Sequence, residues 1–387
     1  MTLQAFLNTR AHELAHFDPT RFKRIYAQFR AHFEDCVPKI QIIGTNGKGS
    51  TGRFLTLGLE HAGFKVLHFS SPHLCDFAER FYKQGAVITA HELEDAHQFL
   101  QSLSLEPQIS YFEYATLLAV VLARDCDYLV LEAGLGGEFD STTRLDKRCA
   151  IVFTPISFDH TDRLGTTLQA IATTKLKAMQ SLEPHTPIIC APQEDLVLQL
   201  AKEMASQAHL PLTLAPPPSK LVCDYAYKHH YPPFLAQNLQ SALSTLEVLG
   251  IAYNLDSFPP LNLGGRFERI APNLIADSAH NVSGAQVLAQ ALKGAKANLV
   301  YNSYARKDVR GVLACLKPLI SHVFIFQIDD PQIIPQEDLE RILQDLKVTF
   351  SIFSWEHFKP KPNTLWLVTG SFSVVGGFIQ SYRHMHA

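Results

Sequence analysis

The chain has 387 residues, more than one hydrophobic core ordinarily organises, so we expect two domains. Hydrophobic residues make up 47% of it and charged residues 18%, a balance that excludes long disordered stretches. The net charge of -3 and the lack of an apolar run of bilayer length exclude nucleic-acid and membrane partners, and we expect a cytoplasmic protein.

The first part of the chain alternates between predicted helices and strands. The first 37 residues are predicted to be helical, because apolar residues such as Phe6, Phe22 and Phe29 recur at roughly helical spacing until Pro38. KIQIIGTNGKGSTGRFLTLGLEHAG then runs from a short strand through glycines into an amphipathic helix. The strands KVLHF, DYLVLEAG and CAIVFTPI follow, with helices around FEYATLLAVVLARDC and residues 167–180. This alternation predicts an α/β fold with a mainly parallel sheet.

The second part contains the predicted linker. Residues 211–234 are proline-rich and are predicted to be irregular, and QNLQSALSTLEVLG restores a helical period. We assign residues 1–255 to an N-terminal domain, 256–265 to a linker and 266–387 to a smaller C-terminal α/β (Rossmann-like) domain with strands such as ANLVYNS and TLWLVTG. The seven cysteines show no CxxC spacing and are expected to be free thiols.

The segment from Gly44 to Ser50, GTNGKGS, is predicted to be a phosphate-binding loop. Glycines let backbone N–H groups converge on an anion, and the positive end of the following helix adds to the attraction. Lys48 would neutralise the β- and γ-phosphates of a nucleotide. The strict GxxxxGK[ST] pattern is not met, because Ile42 replaces the first glycine and Gly49 follows the lysine, so Ser50 must supply the hydroxyl for Mg²⁺. The alternative is a glycine-rich turn with an incidental lysine, but the flanking strand and helix favour a P-loop-type site.

In this form GTNGKGS resembles the nucleotide loop of the Mur ligase superfamily, specifically of its folylpolyglutamate synthase and dihydrofolate synthase branch. SSPHLCDFAER resembles the family's TSPHL…ER, LVLEAGLGGEFDST resembles LExGLGGxxDxT, and FDHTDRLGTTLQAIATTKLKAM resembles DHxxxLGxTxxxIAxxKAG. In the second half AQNLQSAL, GGRFE, DSAHN and TGSFSVVG are similar to QxxNxxxAL, GRxE, DGAHN and TGSxxxVG. The resemblance runs from about residue 40 to 377.

The resemblance implies an ATP- and Mg²⁺-dependent ligase that adds L-glutamate to a folate or dihydropteroate carboxylate. A carboxylate is a poor electrophile, so members of the family first convert it to an acyl phosphate, which the amino group then attacks. Residues 1–255 would be the ATP-binding Mur-ligase-type domain and 266–387 the glutamate-ligase domain. Whether the acid is dihydropteroate, a reduced folate or both stays open, and members of this family are commonly monomers.

The resemblance also implies roles for individual residues. The Mg²⁺ ligands would be Ser50, Ser71, Glu132 and His160. Lys175 matches a lysine that is often carbamylated, and with Lys48 and His160 it forms the expected catalytic set. The family's KAG is KLK here, so Lys177 is the alternative match, and an ordinary exposed helix lysine is the other alternative. Ser371 would lie near the incoming glutamate. The expected nucleotide contacts are Gly44, Thr45, Asn46, Gly47, Lys48, Gly49, Ser50, Asn238, Arg266, Asp277 and His280.

Two other functions compete with this interpretation. His12 to His16 reads HELAH, a literal HExxH that on a helix places two imidazoles on one face for Zn²⁺, as in a metallopeptidase. A charged amphipathic helix explains the same residues, and no third ligand is evident downstream. A catalytically inactive nucleotide-binding module on the same fold is the second alternative, and the joint presence of Lys48, Ser50, Glu132 and His160 argues against it.

Overall fold

The computed structural model describes residues 1–10, 18–33, 35–356, 358, 360 and 364–386, so the HELAH segment lies outside the described residues. The chain forms two compact units. The first unit comprises Met1–Pro72, Phe77–His229 and Leu235–Leu261. The second comprises His73–Asp76, His230–Phe234 and Asn262–Ala387. The final passage from the first unit to the second follows Leu261, within the span 256–265, and the functional assignment of the domains stays a prediction.

The first unit is built on an eight-stranded sheet with the order β4-β3-β2-β5-β1-β6-β7-β8. Strands β2, β5, β1, β6, β7 and β8 are parallel, and the β2–β3 and β3–β4 pairs are antiparallel. The predicted mainly parallel sheet is therefore confirmed. The strands are β1 (Lys39–Ile43), β2 (Val66–Phe69), β3 (Phe81–Lys83), β4 (Ala86–Val87), β5 (Tyr128–Glu132), β6 (Arg148–Phe153), β7 (Ile188–Cys190) and β8 (Leu212–Leu214).

Helices pack against this sheet. Two apolar clusters are buried, one where β2 and β5 meet α1, α2, α4 and α5, the other where β6 and β7 meet α7 and α8. Ser110 and Glu113 cap α5, and a buried Glu113–Arg21 ion pair of 2.8 Å ties it to α2. The helices are α1 (Leu3–Arg10), α2 (Arg21–His32), α3 (Lys48–His61), α4 (Ala90–Ser102), α5 (Tyr111–Leu122), α6 (Thr161–Leu164), α7 (Leu168–Leu176), α8 (Asp195–Gln207), α9 (Lys220–Lys228) and α10 (Pro233–Val248).

Two predictions of local structure were wrong. The first 37 residues are not helical throughout, because a turn lies between α1 and α2, where the Asp18 carboxylate accepts a 2.8 Å hydrogen bond from the Thr20 N–H. Residues 211–234 are not irregular, since they contain β8 and α9. The run of prolines at 216–218 ends just before Ser219, whose hydroxyl accepts from the Val222 N–H and begins α9.

The second unit has a six-stranded sheet with the order β13-β12-β11-β14-β10-β9, parallel except at β9. An apolar cluster with several aromatic rings packs α14 against β10, β11 and β14. The strands are β9 (Glu268–Ala271), β10 (Leu274–Ala276), β11 (Ala297–Tyr301), β12 (Ile320–Ile325), β13 (Phe350–Ile352) and β14 (Leu365–Thr369). The helices are α11 (Val282–Ala291), α12 (Val309–Leu316), α13 (Gln336–Asp345) and α14 (Phe372–His386). Throughout the described ranges, every helix is too short or too polar to cross a bilayer.

Candidate active site

The predicted phosphate loop connects β1 to α3 at the carboxyl edge of the first sheet. Gly47 has φ +84° and precedes the first residue of α3, a conformation that favours glycine. A Cβ on Gly44 would lie 2.0 Å from the Thr154 hydroxyl oxygen, so this position also requires glycine. The N–H groups of the first helical turn have no intrahelical acceptors and lie at the positive end of α3. The loop therefore has the backbone of an anion-binding site.

The loop is fixed to the segment that follows β6. The Thr45 and Asn46 N–H groups donate to the Pro155 carbonyl at 2.9 and 3.2 Å. The Thr45 hydroxyl donates to the Ser157 carbonyl and accepts from the Ser157 N–H, both at 3.0 Å. Because neighbouring parallel strands end at the same edge, these bonds join the ends of β1 and β6 into one rigid rim.

Three charged side chains meet beside the loop. The Lys48 Nζ lies 3.7 Å from a carboxylate oxygen of Glu132, which ends β5 and is 3% exposed. The Lys48 Nζ also donates to the Thr45 carbonyl at 3.1 Å. The Lys175 Nζ, on α7, donates to the Gly44 carbonyl at 2.8 Å. Burial, and then the like charge of Lys48, lower the pKa of Lys175 to about 7.

Ser71, His160 and Asn238 are also in the first unit. The Ser71 N–H donates to the second carboxylate oxygen of Glu132 at 3.1 Å. Asn238, on α10, lies against the loop, since a Cβ on Gly47 would be 2.7 Å from its amide oxygen. His160 follows Ser157 by three residues and has φ +50°, and its N–H donates to the Asp159 carboxylate at 2.8 Å. The first unit thus brings Ser71, Glu132, Lys175 and Asn238 to the phosphate loop.

The second unit holds the other expected residues at the carboxyl ends of β10 and β14. Both Asp277 carboxylate oxygens are occupied, accepting from the Phe267 N–H at 2.8 Å and the Ala279 N–H at 2.9 Å. Burial raises the pKa of Asp277. The Arg266 guanidinium lies 4.5 Å from the centre of the Phe372 ring, and the His280 ring is 5.7 Å from the same ring. These residues form a second polar group within their own unit.

Ser371 begins α14 in the second unit. Its hydroxyl accepts from the Val374 N–H at 3.1 Å and lies 3.0 Å from the Ser373 hydroxyl. The side chain is 1% exposed. Ser371 therefore acts as the N-cap of α14.

Two residues near the loop were not assigned from the sequence. Asp140 is fully buried and accepts from the Leu135 N–H at 2.8 Å and the Thr142 hydroxyl at 2.6 Å, so it shapes the loop after Glu132. An aspartate before Ser-Thr-Thr was a visible capping signal. The Thr51 hydroxyl in the first turn of α3 is buried and lacks a hydrogen-bond partner among the described residues. The sequence GKGST offered it as a second hydroxyl beside Ser50.

The side chains beside the loop fit a hard divalent cation. Glu132 supplies carboxylate oxygens, Ser50 and Ser71 supply hydroxyls, and these are the oxygen ligands that Mg²⁺ prefers. A lysine ammonium already lies beside the Glu132 carboxylate, which shows that this buried acid is placed to neutralise positive charge. In the described part of the chain no three His, Cys, Asp or Glu side chains cluster as a metal site. The carboxylate and hydroxyl oxygens of Glu132, Ser50 and Ser71 suit Mg²⁺, which keeps water and phosphate ligands, better than a structural zinc site.

The fold and the loop define a nucleotide-binding α/β protein of the Mur ligase type, and residues 42–215 match the family of the Mur ligase middle domain. A dihydrofolate synthase/folylpolyglutamate synthase of Escherichia coli is 30% identical over 378 residues, covering 86% of this chain and 84% of the relative. The chain belongs to this family of dihydrofolate and folylpolyglutamate synthases.

Solved structures show the same architecture. The crystal structure of Helicobacter pylori folylpolyglutamate synthetase is 45% identical, with a TM-score of 0.78 and coverage of 99% of this chain and 98% of that chain. The Yersinia pestis bifunctional folylpolyglutamate synthase/dihydrofolate synthase, complexed with AMPPNP and Mn ion, has a TM-score of 0.84 at 23% identity, covering 99% and 98%. The predicted two-part α/β fold is therefore confirmed.

Proposed function

We propose that this chain is an ATP- and Mg²⁺-dependent ligase that joins the amino group of L-glutamate to the carboxylate of a folate or of dihydropteroate. The observation that carries the proposal is the convergence of Lys48, Glu132 and Lys175 on a glycine loop at a helix N-terminus. The family relationship supplies the reaction, and the loop supplies the place where a triphosphate binds.

The reaction proceeds in two balanced steps. A carboxylate oxygen of the acid attacks the γ-phosphorus of ATP, which gives an acyl phosphate and ADP. The neutral amino group of glutamate then attacks the acyl carbon, phosphate leaves, and the nitrogen loses a proton as the amide forms. Phosphoryl transfer depends mainly on positioning and charge neutralisation, which Lys48 and the loop N–H groups provide.

Glu132, Ser50, Ser71 and His160 are proposed to hold Mg²⁺. When bound, the ion neutralises charge on the β- and γ-phosphates. Lys48 lies 3.7 Å from the Glu132 carboxylate, and it would pair with a phosphate if a cation bound that carboxylate. His160 is an unusual ligand for a hard cation, and its assignment rests on the family resemblance.

Lys175 is proposed to carry a carbamate. The amine must be neutral to attack CO₂, and burial beside Lys48 makes the neutral form abundant near pH 7. The attack forms an N–C bond and releases one proton, leaving an anionic side chain next to the cation site. The carbamate would then replace the electrostatic repulsion between Lys175 and Lys48 with an attraction.

The remaining nucleotide contacts are proposed from both units. Asn238 lies against Gly47, which supports a contact with the adenine end of the nucleotide. In the second unit, Asp277 and His280 are proposed to hold the ribose and Arg266 the phosphates. Ser371 is proposed to lie near the incoming glutamate. We further propose that the enzyme acts as a cytoplasmic monomer, and the seven cysteines, which form no disulfide among the described residues, suit a reducing compartment.

The deciding experiment is steady phosphate release by the purified chain with ATP, Mg²⁺ and L-glutamate, with dihydropteroate in one arm and tetrahydrofolate in the other. We expect release only when both an acid and glutamate are present. Turnover in one arm identifies a monofunctional enzyme, and turnover in both a bifunctional one. Release that ignores both acids, or no release at all, would contradict the proposal and favour the inactive nucleotide-binding module.

A further inference from the structure

A basic cleft lies at the opposite edge of the first sheet from the phosphate loop. Arg148 begins β6 and pairs with Lys39 of β1, so the cleft is at the amino ends of these strands. Six residues of β6 separate the two edges, about 20 Å at ~3.3 Å per residue. A small anion held at the loop therefore cannot reach Arg148. The cavity measures about 500 Å³, the size of a small-molecule site.

The cleft carries a surplus of positive charge. Five basic side chains line it, two from α2 and three from the segment that leads into β6: Lys23, Arg30, Arg144, Lys147 and Arg148. Two acids, Asp146 and Glu183, also line it, which leaves a surplus of three positive charges. Arg30 is already paired with Asp146, whereas Lys23, Arg144 and Lys147 form no ion pair with any described residue.

Arg144 is the most unusual member of this group. Its guanidinium lies 5.4 Å from the centre of the Phe139 ring, and its Nε is buried without a hydrogen-bond partner in the described parts of the chain. Arg148 is nearby, 8% exposed, and donates to the Ala178 carbonyl at 3.1 Å. Burial, and then the like charge of Arg144, lower the pKa of Arg148 to about 10. The two guanidinium groups therefore line one cleft and repel each other.

We propose that this cleft binds a small molecule carrying two or more carboxylate or phosphate groups. Guanidinium groups pair with either anion through two parallel N–H···O bonds, so both chemistries satisfy Arg144 and Arg148. One anionic group relieves the repulsion between the two arginines. A second anionic group would pair with Lys23 on α2. The proposal does not depend on the ligase reaction.

The test is calorimetric titration of the full chain at low ionic strength without Mg²⁺, since the exposed cations are screened by salt. Tripolyphosphate serves as the phosphate probe and citrate as the carboxylate probe. The variant Arg144→Gln/Lys147→Gln is expected to weaken binding about tenfold or more, because each lost charged hydrogen bond contributes a factor of about ten. Binding at the phosphate loop would survive in this variant, so the two sites are told apart.

Two further variants make the outcome decisive. Lys202→Gln/Lys220→Gln removes the same charge from exposed positions on α8 and α9 and is expected to leave binding unchanged. Lys23→Gln/Lys147→Gln, at exposed positions, is expected to weaken binding like the first variant and covers the case in which the Arg144 substitution disturbs folding. A loss confined to tripolyphosphate identifies a phosphorylated ligand, and one confined to citrate a polycarboxylate. Equal weakening in the Lys202→Gln/Lys220→Gln variant, or no binding of either probe, would overturn the proposal.

Discussion

The carboxyl edges of the two sheets both end in polar residues, but those residues are held in different ways. In the first unit, Lys48 lies beside the Glu132 carboxylate, and both Lys48 and Lys175 donate to carbonyl groups of the phosphate loop. In the second unit, Asp277 and Ser371 are occupied by backbone N–H groups of their own unit. The residues of the first unit interact mainly through side-chain charge, whereas Asp277 and Ser371 accept hydrogen bonds that hold the backbone of the second unit.

This difference predicts how substitutions divide between activity and stability. Removing a charge beside the phosphate loop leaves few backbone groups unpaired, so the effect should fall on turnover. Removing Asp277 or Ser371 leaves N–H groups without acceptors in a buried environment, which is costly. Substitutions in the first unit should therefore mainly reduce turnover, and substitutions of Asp277 or Ser371 should also reduce stability.

The largest expected effect comes from Lys48→Ala. Loss of the only loop lysine should lower kcat about 10³-fold, as expected when a group that stabilises the transition state is removed. The free energy of unfolding should change by less than about 1 kcal/mol, because loss of the Glu132 contact is offset by relief of the repulsion between Lys48 and Lys175. Phosphate release and urea denaturation measure the two quantities. Lys202→Ala, an exposed lysine on α8, is the matched control, and unchanged turnover in Lys48→Ala would refute the proposed loop function.

Asp277→Ala should show the opposite balance. Two backbone N–H groups, of Phe267 and Ala279, lose their acceptor, so we expect a loss of about 3 kcal/mol in the free energy of unfolding. Asp308→Ala is the control in the same unit, because Asp308 is exposed and caps α12 through the Gly311 N–H. It should lose about 1 kcal/mol. Equal losses in both variants would mean that burial of Asp277 contributes nothing.

The contrast also explains what the sequence could predict. The loop was readable because glycines, a lysine and the flanking strand and helix are contiguous from Lys39 to His61. Glu132 was readable because it ends an apolar strand. The contact of Asn238 with Gly47 joins residues far apart in the chain, and only the family resemblance pointed to it.

Other features depended on packing that no local pattern carries. The Thr45–Ser157 bonds link two loops that follow different strands, and neither loop alone predicts them. The short edge strands β4 and β13 pair with neighbours on one side and lack a strong apolar signal. Helix α9 follows three prolines, which are typical of an irregular segment and hide its helical pattern. Long-range pairing, rather than propensity, decided each case.

Lys175 should make the free energy of unfolding depend on pH. Its pKa is about 7 in the fold against 10.5 for a free lysine, so the folded protein binds fewer protons than the unfolded chain between these values. Stability should therefore rise with pH across this window, by about 2 kcal/mol between pH 7 and 9. Denaturation in CO₂-free buffer at both pH values measures the rise.

Two substitutions test that assignment. Lys175→Met removes the titrating group and should abolish the rise, whereas Lys177→Met should retain it, because Lys177 is partly exposed and paired with Glu138. A pH-independent difference between the wild type and Lys175→Met would show that the lysine keeps an ordinary pKa in the fold.

The smallest effect is expected for Ser371→Ala, which should lower the free energy of unfolding by about 1 kcal/mol through loss of the α14 cap. Ser373→Ala is the informative control, because both variants lose the bond between the two hydroxyls and only Ser371→Ala frees the Val374 N–H. The proposed contact with glutamate adds a rise in the KM for L-glutamate in Ser371→Ala alone. If the cap is lost while that KM is unchanged, Ser371 belongs entirely to the fold, and the contrast between the two sheet edges becomes sharper.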